Sequence, residues 1–293
     1  LRKIFETAII VLEYFEMVKN MIKMIAVDMD GTFLDGKGEY DSERFEKILN
    51  ELDKRGIIFV VATGNQISRM RLTFGKQAER LAYVVGNGSH LVVKNETKYL
   101  KNFTPKQLDH LLDFYQNHFN DYHMVISSPD HSYMTKGAYN CQNLGNSERL
   151  AYYNASFPNV ILLDSMSELP NEPINKLTMQ LPEKLEEDVT KEFKKEFSDL
   201  VPMASGFGAI DVVLPGVDKA FGIKKLMKLE NISSNQVMAF GDGDNDLAML
   251  ELAEYSYAME NATERVKSTA CFIAPANTKS GVFQVIEKYL ASH

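Results

Sequence analysis

The feature that most narrows the possible fold is a short apolar run that ends in acid. Met24-Ile25-Ala26-Val27 is followed at once by Asp28-Met29-Asp30-Gly31-Thr32. An apolar run with β-branched members, closed by a Gly-Thr turn, reads as a strand buried on both faces, as strands of parallel sheets are. Open α/β sheets place their ligands in the crevice beyond the carboxyl ends of such strands. Asp28 and Asp30 stand at that end, and their mutual repulsion is costly unless a cation lies between them or one carboxyl takes a proton. Either outcome is usable chemistry, with Asp28 as a nucleophile facing Mg²⁺ and Asp30 as general acid and base. An isolated pair of this kind is more often an acidic turn. Its place after a buried strand, with Gly31 to turn the chain, favours the chemical reading.

The pattern around it repeats. Asp41-Ser42-Glu43 opens a helix carrying Phe45, Ile48, Leu49 and Leu52 at helical spacing, and Gly56 stops it. Ile57 to Ala62 is the next buried strand and ends in Thr63-Gly64-Asn65; a helix over Gln66 to Phe74 leads to a third strand at Tyr83 to Val85. Strand and helix in alternation predict an α/β, doubly wound, mostly parallel (Rossmann-like) sheet. From Ser89 the character changes to short strands, at 91–93, 98–100, 123–126, 177–181 and 210–214, with amphipathic helices from Thr104-Pro105 and over Glu183 to Phe197. The alternation resumes at Lys219, which begins a helix, and at Val237 to Phe240, a strand that runs into Gly241-Asp242-Gly243-Asp244-Asn245-Asp246. The expected organisation is a core of residues 21–87 and 216–293 with an α+β cap domain, 88–215, inserted between its halves. Residues 1–20 carry Glu6, Glu13 and Glu16 in an apolar stretch too short for a bilayer span, with no small-residue cleavage site. They are read as a dispensable leader, with the folded enzyme starting near Met21.

Composition excludes several classes. A net charge of −8 repels nucleic acid and anionic membranes, so any phosphate must be met by local lysines, helix N-termini or a metal, and a small phosphorylated metabolite is the expected partner. No obligate protein partner is implied. Cys141 and Cys271 make neither a disulfide framework nor a C-x-x-C motif, which fits a reducing, cytoplasmic setting. The second acidic cluster is no EF-hand, since Leu247 stands where glycine is needed and Ala253 where the bidentate glutamate belongs. Gly241-x-Gly243 and Gly86-x-Gly88 fail as dinucleotide fingerprints for want of a third glycine.

Three loops then converge on one sheet edge, Asp28 to Thr32, Thr63 to Asn65 and Asp242 to Asp246, and Lys219 can reach it. Together they fit the hydrolysis of a phosphate monoester. Asp28 would attack phosphorus to give an aspartyl-phosphate. Asp28, the Asp30 backbone carbonyl and Asp242 would hold Mg²⁺, Thr63 and Lys219 the phosphoryl oxygens. Asp30 would protonate the departing alcohol and then deprotonate the hydrolytic water.

Asp28-Met29-Asp30-Gly31-Thr32, Thr63, Lys219 and Gly241-Asp242-x-x-Asn245-Asp246, in that order, resemble the motifs of the haloacid dehalogenase superfamily of phosphatases, and the segment after the third strand resembles the large α/β cap of its Cof-type members. Asp28 to Leu34, Gly64-Asn65-Gln66 and Ser205 to Gly216 are similar to the bacterial sugar-phosphate phosphatases of that group. The resemblance implies that Asn245 contacts substrate phosphate and that Asp246 supports the metal from a second shell. Many relatives carry Arg at the position of Asn65. Phe207, between two glycines, is a candidate for substrate selection, with a hairpin corner as its plainer reading. The expected activity is a Mg²⁺-dependent phosphatase of sugar phosphates; phosphorylated cofactors (flavin mononucleotide, pyridoxal phosphate), a phosphomutase, or a ligand sensor with vestigial catalysis stand as alternatives.

Overall fold

The computed structural model describes residues 21–140, 156–157, 160–204 and 209–292; the leader and Phe207 lie outside them. The chain divides into two compact units, Leu1–Ala62 with Ile223–His293, and Thr63–Gly222. Strands are numbered along the chain.

The first unit is built on β1 (Met24–Val27), β2 (Ile58–Ala62), β12 (Val237–Gly241), β13 (Tyr255–Met259) and β14 (Phe272–Ala274). All neighbours pair in parallel in the order β14-β13-β12-β1-β2. β1 and β12 are fully buried, which is why their sequences are continuous apolar runs rather than alternating ones. The chain leaves β1 toward β2 on one side, and its C-terminal part fills the other side from β12 outward. The strand order therefore reverses between β1 and β12, the point where such sheets open a ligand crevice.

Helix Ser42–Lys54 begins on Asp41, whose side chain accepts from the Arg44 backbone N–H at 2.9 Å. It buries Phe45, Ile48, Leu49 and Leu52. Phe45 packs edge-on against Phe33 and Phe59 and stacks on Phe283 of the final helix, Gly281–Ser292. Each such ring contributes roughly 1.5–3 kcal/mol by leaving water. The Arg44 guanidinium clamps Glu287 through two bonds of 2.7 Å, tying the two helices at their rim.

The second unit holds an antiparallel meander of β3 (Ala82–Val85), β4 (His90–Val93) and β5 (Glu96–Leu100). It also holds a six-stranded sheet in the order β10-β11-β9-β6-β7-β8. These strands are β6 (Val125–Ser127), β7 (Ser132–Thr135), β8 (Val160–Leu163), β9 (Lys176–Gln180), β10 (Val201–Ala204) and β11 (Ala209–Val213). Helix Pro105–Phe114 starts with a reciprocal cap between Thr104 and Gln107. Leu111, Tyr115, Leu177, Met179, Phe193 and Ile210 form the core of this sheet and its helices.

Two expectations shift on contact with the structure. The strand placed at 123–126 starts at Val125, because His123 has φ +42°, outside the β region, with Nδ1 against the Ala138 carbonyl at 3.0 Å. Strands β7, β8 and β10 were not anticipated.

Candidate active site

β1 delivers Asp28 to the switch point, with its backbone N–H donating to the Phe240 carbonyl of β12 at 3.1 Å. The chain then turns tightly. The N–H groups of Phe33 and Leu34 both return to the Met29 carbonyl, at 3.0 and 2.9 Å, so residues 29–34 close over the strand end. Gly31 makes this possible with φ +87°. A Cβ there would lie 2.4 Å from Asp242 Oδ2, so the turn needs glycine for both its conformation and its space.

β12 delivers Asp242 from the neighbouring strand end. The Asp246 carboxylate accepts from the backbone N–H of Asp242 and of Gly243, each at 3.0 Å, which folds the acidic loop back on itself. Thr32 Oγ1 donates to Asp242 Oδ1 at 2.7 Å and ties the two loops together. Carboxylate oxygens of Asp28, Asp242 and Asp246 all lie within 4.8 Å of one another. Asp28 is 6% exposed and Asp246 0%, so both carboxyls are withdrawn from bulk water. Such a set suits a hard divalent cation, which takes oxygen ligands. The Asp30 carboxyl is not a member of this group; Asp30 sits one turn position along, half-buried. Asn245, in the loop of Asp242 and Asp246, is half-buried, while the exposed Asp244 pairs with Arg265 at 2.9 Å.

Thr63 and Lys219 belong to the second unit, and one turn brings them together. Asn87 N–H donates to the Thr63 carbonyl at 3.1 Å, and Gly86 N–H to the Asn65 carbonyl at 2.9 Å. On the other flank, Gly88 (φ +95°) lies so close to the backbone before Lys219 that a Cβ would sit 1.9 Å from the Asp218 carbonyl oxygen. Lys219 opens helix Lys219–Glu230 and is 1% exposed, unusual for a lysine and a sign of an engaged charge.

Sequence reasoning passed over what surrounds the Thr63 loop. Lys176 of β9 and Asp211 of β11 form an ion pair of 3.2 Å with side chains only 7% and 4% exposed. Thr178 Oγ1 donates to Asp211 at 2.7 Å, Asn87 Nδ2 at 3.3 Å, and Lys176 Nζ also donates to the Gly64 carbonyl at 3.1 Å. Gln66, just before helix Ile67–Phe74, sends its amide to the Ser128 carbonyl at 2.8 Å and accepts from Ser132 Oγ at 2.6 Å. A lysine directly before the strand expected at 177–181 was the available signal; the structure starts that strand at Lys176 itself, and an unpaired lysine would not be buried there.

Paired carboxylates at the switch point of a parallel sheet define a class, the α/β enzymes that work on an anionic group at the strand ends. Comparison with known proteins narrows it. Residues 25–286 match the family model of the haloacid dehalogenase-like hydrolases, and the chain belongs to that family. A 5-amino-6-(5-phospho-D-ribitylamino)uracil phosphatase of Escherichia coli (strain K12) is 33% identical over 274 residues, covering 92% of this chain and 96% of that protein. One of the same name from Bacillus subtilis (strain 168) is 27% identical, covering 92% and 96%. The solved structure of SMU.1108c from Streptococcus mutans UA159 superposes with a TM-score of 0.80 at 38% identity, covering 92% of this chain and 99% of that one. Within its family the chain is a phosphatase, a phosphoric monoester hydrolase. No helix among the described residues is long and apolar enough to cross a membrane.

Proposed function

We propose that the chain hydrolyses small phosphate monoesters, sugar phosphates foremost, with Mg²⁺ and through an aspartyl-phosphate on Asp28. The observation that carries this is the convergence of the Asp28, Asp242 and Asp246 carboxylate oxygens within 4.8 Å at the β1–β12 switch point. Three carboxylates so close hold a dication far better than they tolerate one another. Asp28, Asp242 and the Asp30 carbonyl would hold the Mg²⁺, with Asp246 beside them. When bound, it supplies charge neutralisation for the transferring phosphoryl group and a template for in-line attack.

The chain's own residues do the rest. The Asp28 carboxylate attacks phosphorus while Asp30 gives its proton to the departing alcohol oxygen. Asp30, now ionised, takes a proton from the water that attacks the phosphorylated Asp28, which frees phosphate and restores both carboxyls. Thr63, Lys219 and Asn245 meet the phosphoryl oxygens as donors. Selection of the leaving group falls to the segment 88–215.

A second reading of the substrate has a specific basis. The relatives at 33% and 27% identity are named for a uracil that bears a phosphorylated ribityl chain. Flavin mononucleotide bears a phosphorylated ribityl chain too, so a linear sugar-alcohol phosphate on a flat heterocycle joins the sugar and cofactor readings in one substrate class. The test is phosphate release from sugar phosphates, flavin mononucleotide, pyridoxal phosphate and the ribitylaminouracil phosphate, with Mg²⁺ or EDTA, for wild type and Asp28→Asn. Turnover that needs Mg²⁺ and disappears in the variant supports the mechanism, and the preferred ester names the class. Binding of these esters without turnover would favour a sensor and sink the reading.

A further inference from the structure

Asn65 and Arg69 have no part in the mechanism above, yet they decide what the Thr63 hydroxyl can do. Thr63 Oγ1 accepts from the Asn65 backbone N–H at 3.1 Å and from Asn65 Nδ2 at 3.0 Å. A hydroxyl oxygen offers two lone pairs and one proton. With both lone pairs engaged, Thr63 meets a further ligand as a donor. The orientation of the Asn65 amide is itself fixed by chemistry. Its other end faces Arg69 Nη1, and a guanidinium has five donors and no acceptor, so the atom toward Arg69 must be oxygen and the atom toward Thr63 nitrogen.

Arg69 lies four residues beyond Asn65, in the first turn of helix Ile67–Phe74, and also reaches Ser156 Oγ at 3.5 Å. The loop that carries these groups is braced at each carbonyl. Thr63, Gly64 and Asn65 accept in turn from Asn87 N–H, Lys176 Nζ and Gly86 N–H. Thr63 is 2% exposed, so its hydroxyl is not free to turn into bulk water.

We propose that Asn65, with its amide oriented by Arg69, is a positioning residue that holds the Thr63 hydroxyl as a hydrogen-bond donor toward the phosphoryl oxygens. The inference rests on the reading that Thr63 meets the phosphoryl group. It deepens that reading, because it makes the polarity of residue 65, rather than its size, the quantity that matters. An anionic oxygen is attracted by the hydroxyl proton and repelled by its lone pairs.

Asn65→Asp separates polarity from shape. The new carboxylate has the same outline and gives Arg69, whose Nη1 already faces residue 65, an ion pair, yet it replaces the donor facing Thr63 with an acceptor. The Thr63 proton then turns to the carboxylate and a lone pair faces the phosphate. Expected is a fall in kcat/KM for p-nitrophenyl phosphate on the order of a hundredfold, as for loss of a preorganised donor, with weaker competitive inhibition by inorganic phosphate. The melting temperature should stay at or above that of wild type. Asn65→Ala, which frees the hydroxyl without inverting it, should cost about tenfold. In a Thr63→Val background both substitutions should change kcat/KM by no more than about twofold, because Asn65 acts through Thr63.

Wild-type kcat/KM in Asn65→Asp overturns the proposal. So does a hundredfold loss that persists undiminished in the Thr63→Val background, which would mark simple charge repulsion. An impaired Thr63→Val enzyme with a normal Asn65→Asp enzyme leaves Thr63 in the site and removes only Asn65. A Thr63→Val enzyme as fast as wild type overturns both.

Discussion

Gly31→Ala tests whether the turn after β1 sets the position of Asp242. The new Cβ would fall 2.4 Å from Asp242 Oδ2 and 2.8 Å from its Cγ. Carbon needs about 3.5 Å from a non-bonded heavy atom, so the carboxylate must retreat by about 1 Å. It cannot do so and keep its 2.7 Å bond from Thr32 Oγ1. The alanine also inherits φ +87°, which costs an L-residue roughly 1–2 kcal/mol. That strain alone lowers the melting temperature by roughly 2–8 °C, which leaves the enzyme folded at 25 °C. If Asp242 holds the metal as proposed above, a 1 Å error in its position costs catalysis about a hundredfold. The assay is phosphate release across a Mg²⁺ titration, with melting followed by circular dichroism. The expected result is a folded enzyme with kcat down on the order of a hundredfold and a raised Mg²⁺ requirement. Retention of a third or more of wild-type activity at the same Mg²⁺ would refute the reasoning, because the carboxylate would then have tolerated the shift.

Asp246→Asn keeps an oxygen for the Asp242 and Gly243 N–H groups but loses the charge, so the Mg²⁺ concentration for half-maximal activity should rise roughly 10–100-fold with little change in melting temperature; an unchanged requirement would remove Asp246 from the metal's surroundings. Lys176→Met leaves the buried Asp211 carboxylate without its cation and should cost roughly 3–5 kcal/mol in urea denaturation, most of it recovered by adding Asp211→Asn. No recovery in the double variant would mean that the pair is not the source of the loss. Burial holds the His90 imidazole below its ordinary 6.5, with Nε2 beside Thr97 Oγ1 at 2.9 Å and Nδ1 without a partner. Between that depressed value and 6.5 the unfolded chain takes the proton and the folded chain does not, so His90 withdraws stability as pH falls through this window. The urea midpoint of wild type should therefore drop more steeply below pH 6.5 than that of His90→Gln, and parallel slopes would refute it.

The first unit was legible because its strands are buried on both faces. β1, β2 and β12 read as apolar runs with an acidic or glycine-rich end, and the switch point follows from their order. Helix Ser42–Lys54 declared itself by its cap and spacing. The missed strands have physical reasons. β10 contains Pro202, which argues against a strand except at a sheet edge, and β10 is the edge. β7 is Ser-Tyr-Met-Thr, with three hydroxyls in a fully buried stretch, so no alternation marks it. Asp28 and Asp242 were legible together, since each follows a buried strand, whereas Asp246 entered only through the resemblance, as a residue supporting the metal from a second shell. Asn65 and Arg69 were not, because their meaning lies in which end of an amide faces which neighbour.

The Lys176–Asp211 pair bears on how such an enzyme could be re-engineered. Its ammonium caps the Gly64 carbonyl, so strands β9 and β11 are part of the mould in which residues 63–65 are cast. A chimera that takes residues 88–215 from a relative to borrow its substrate preference must therefore bring a cation at the place of Lys176. A graft without one would leave the Gly64 carbonyl without its cation and residues 63–65 without that brace.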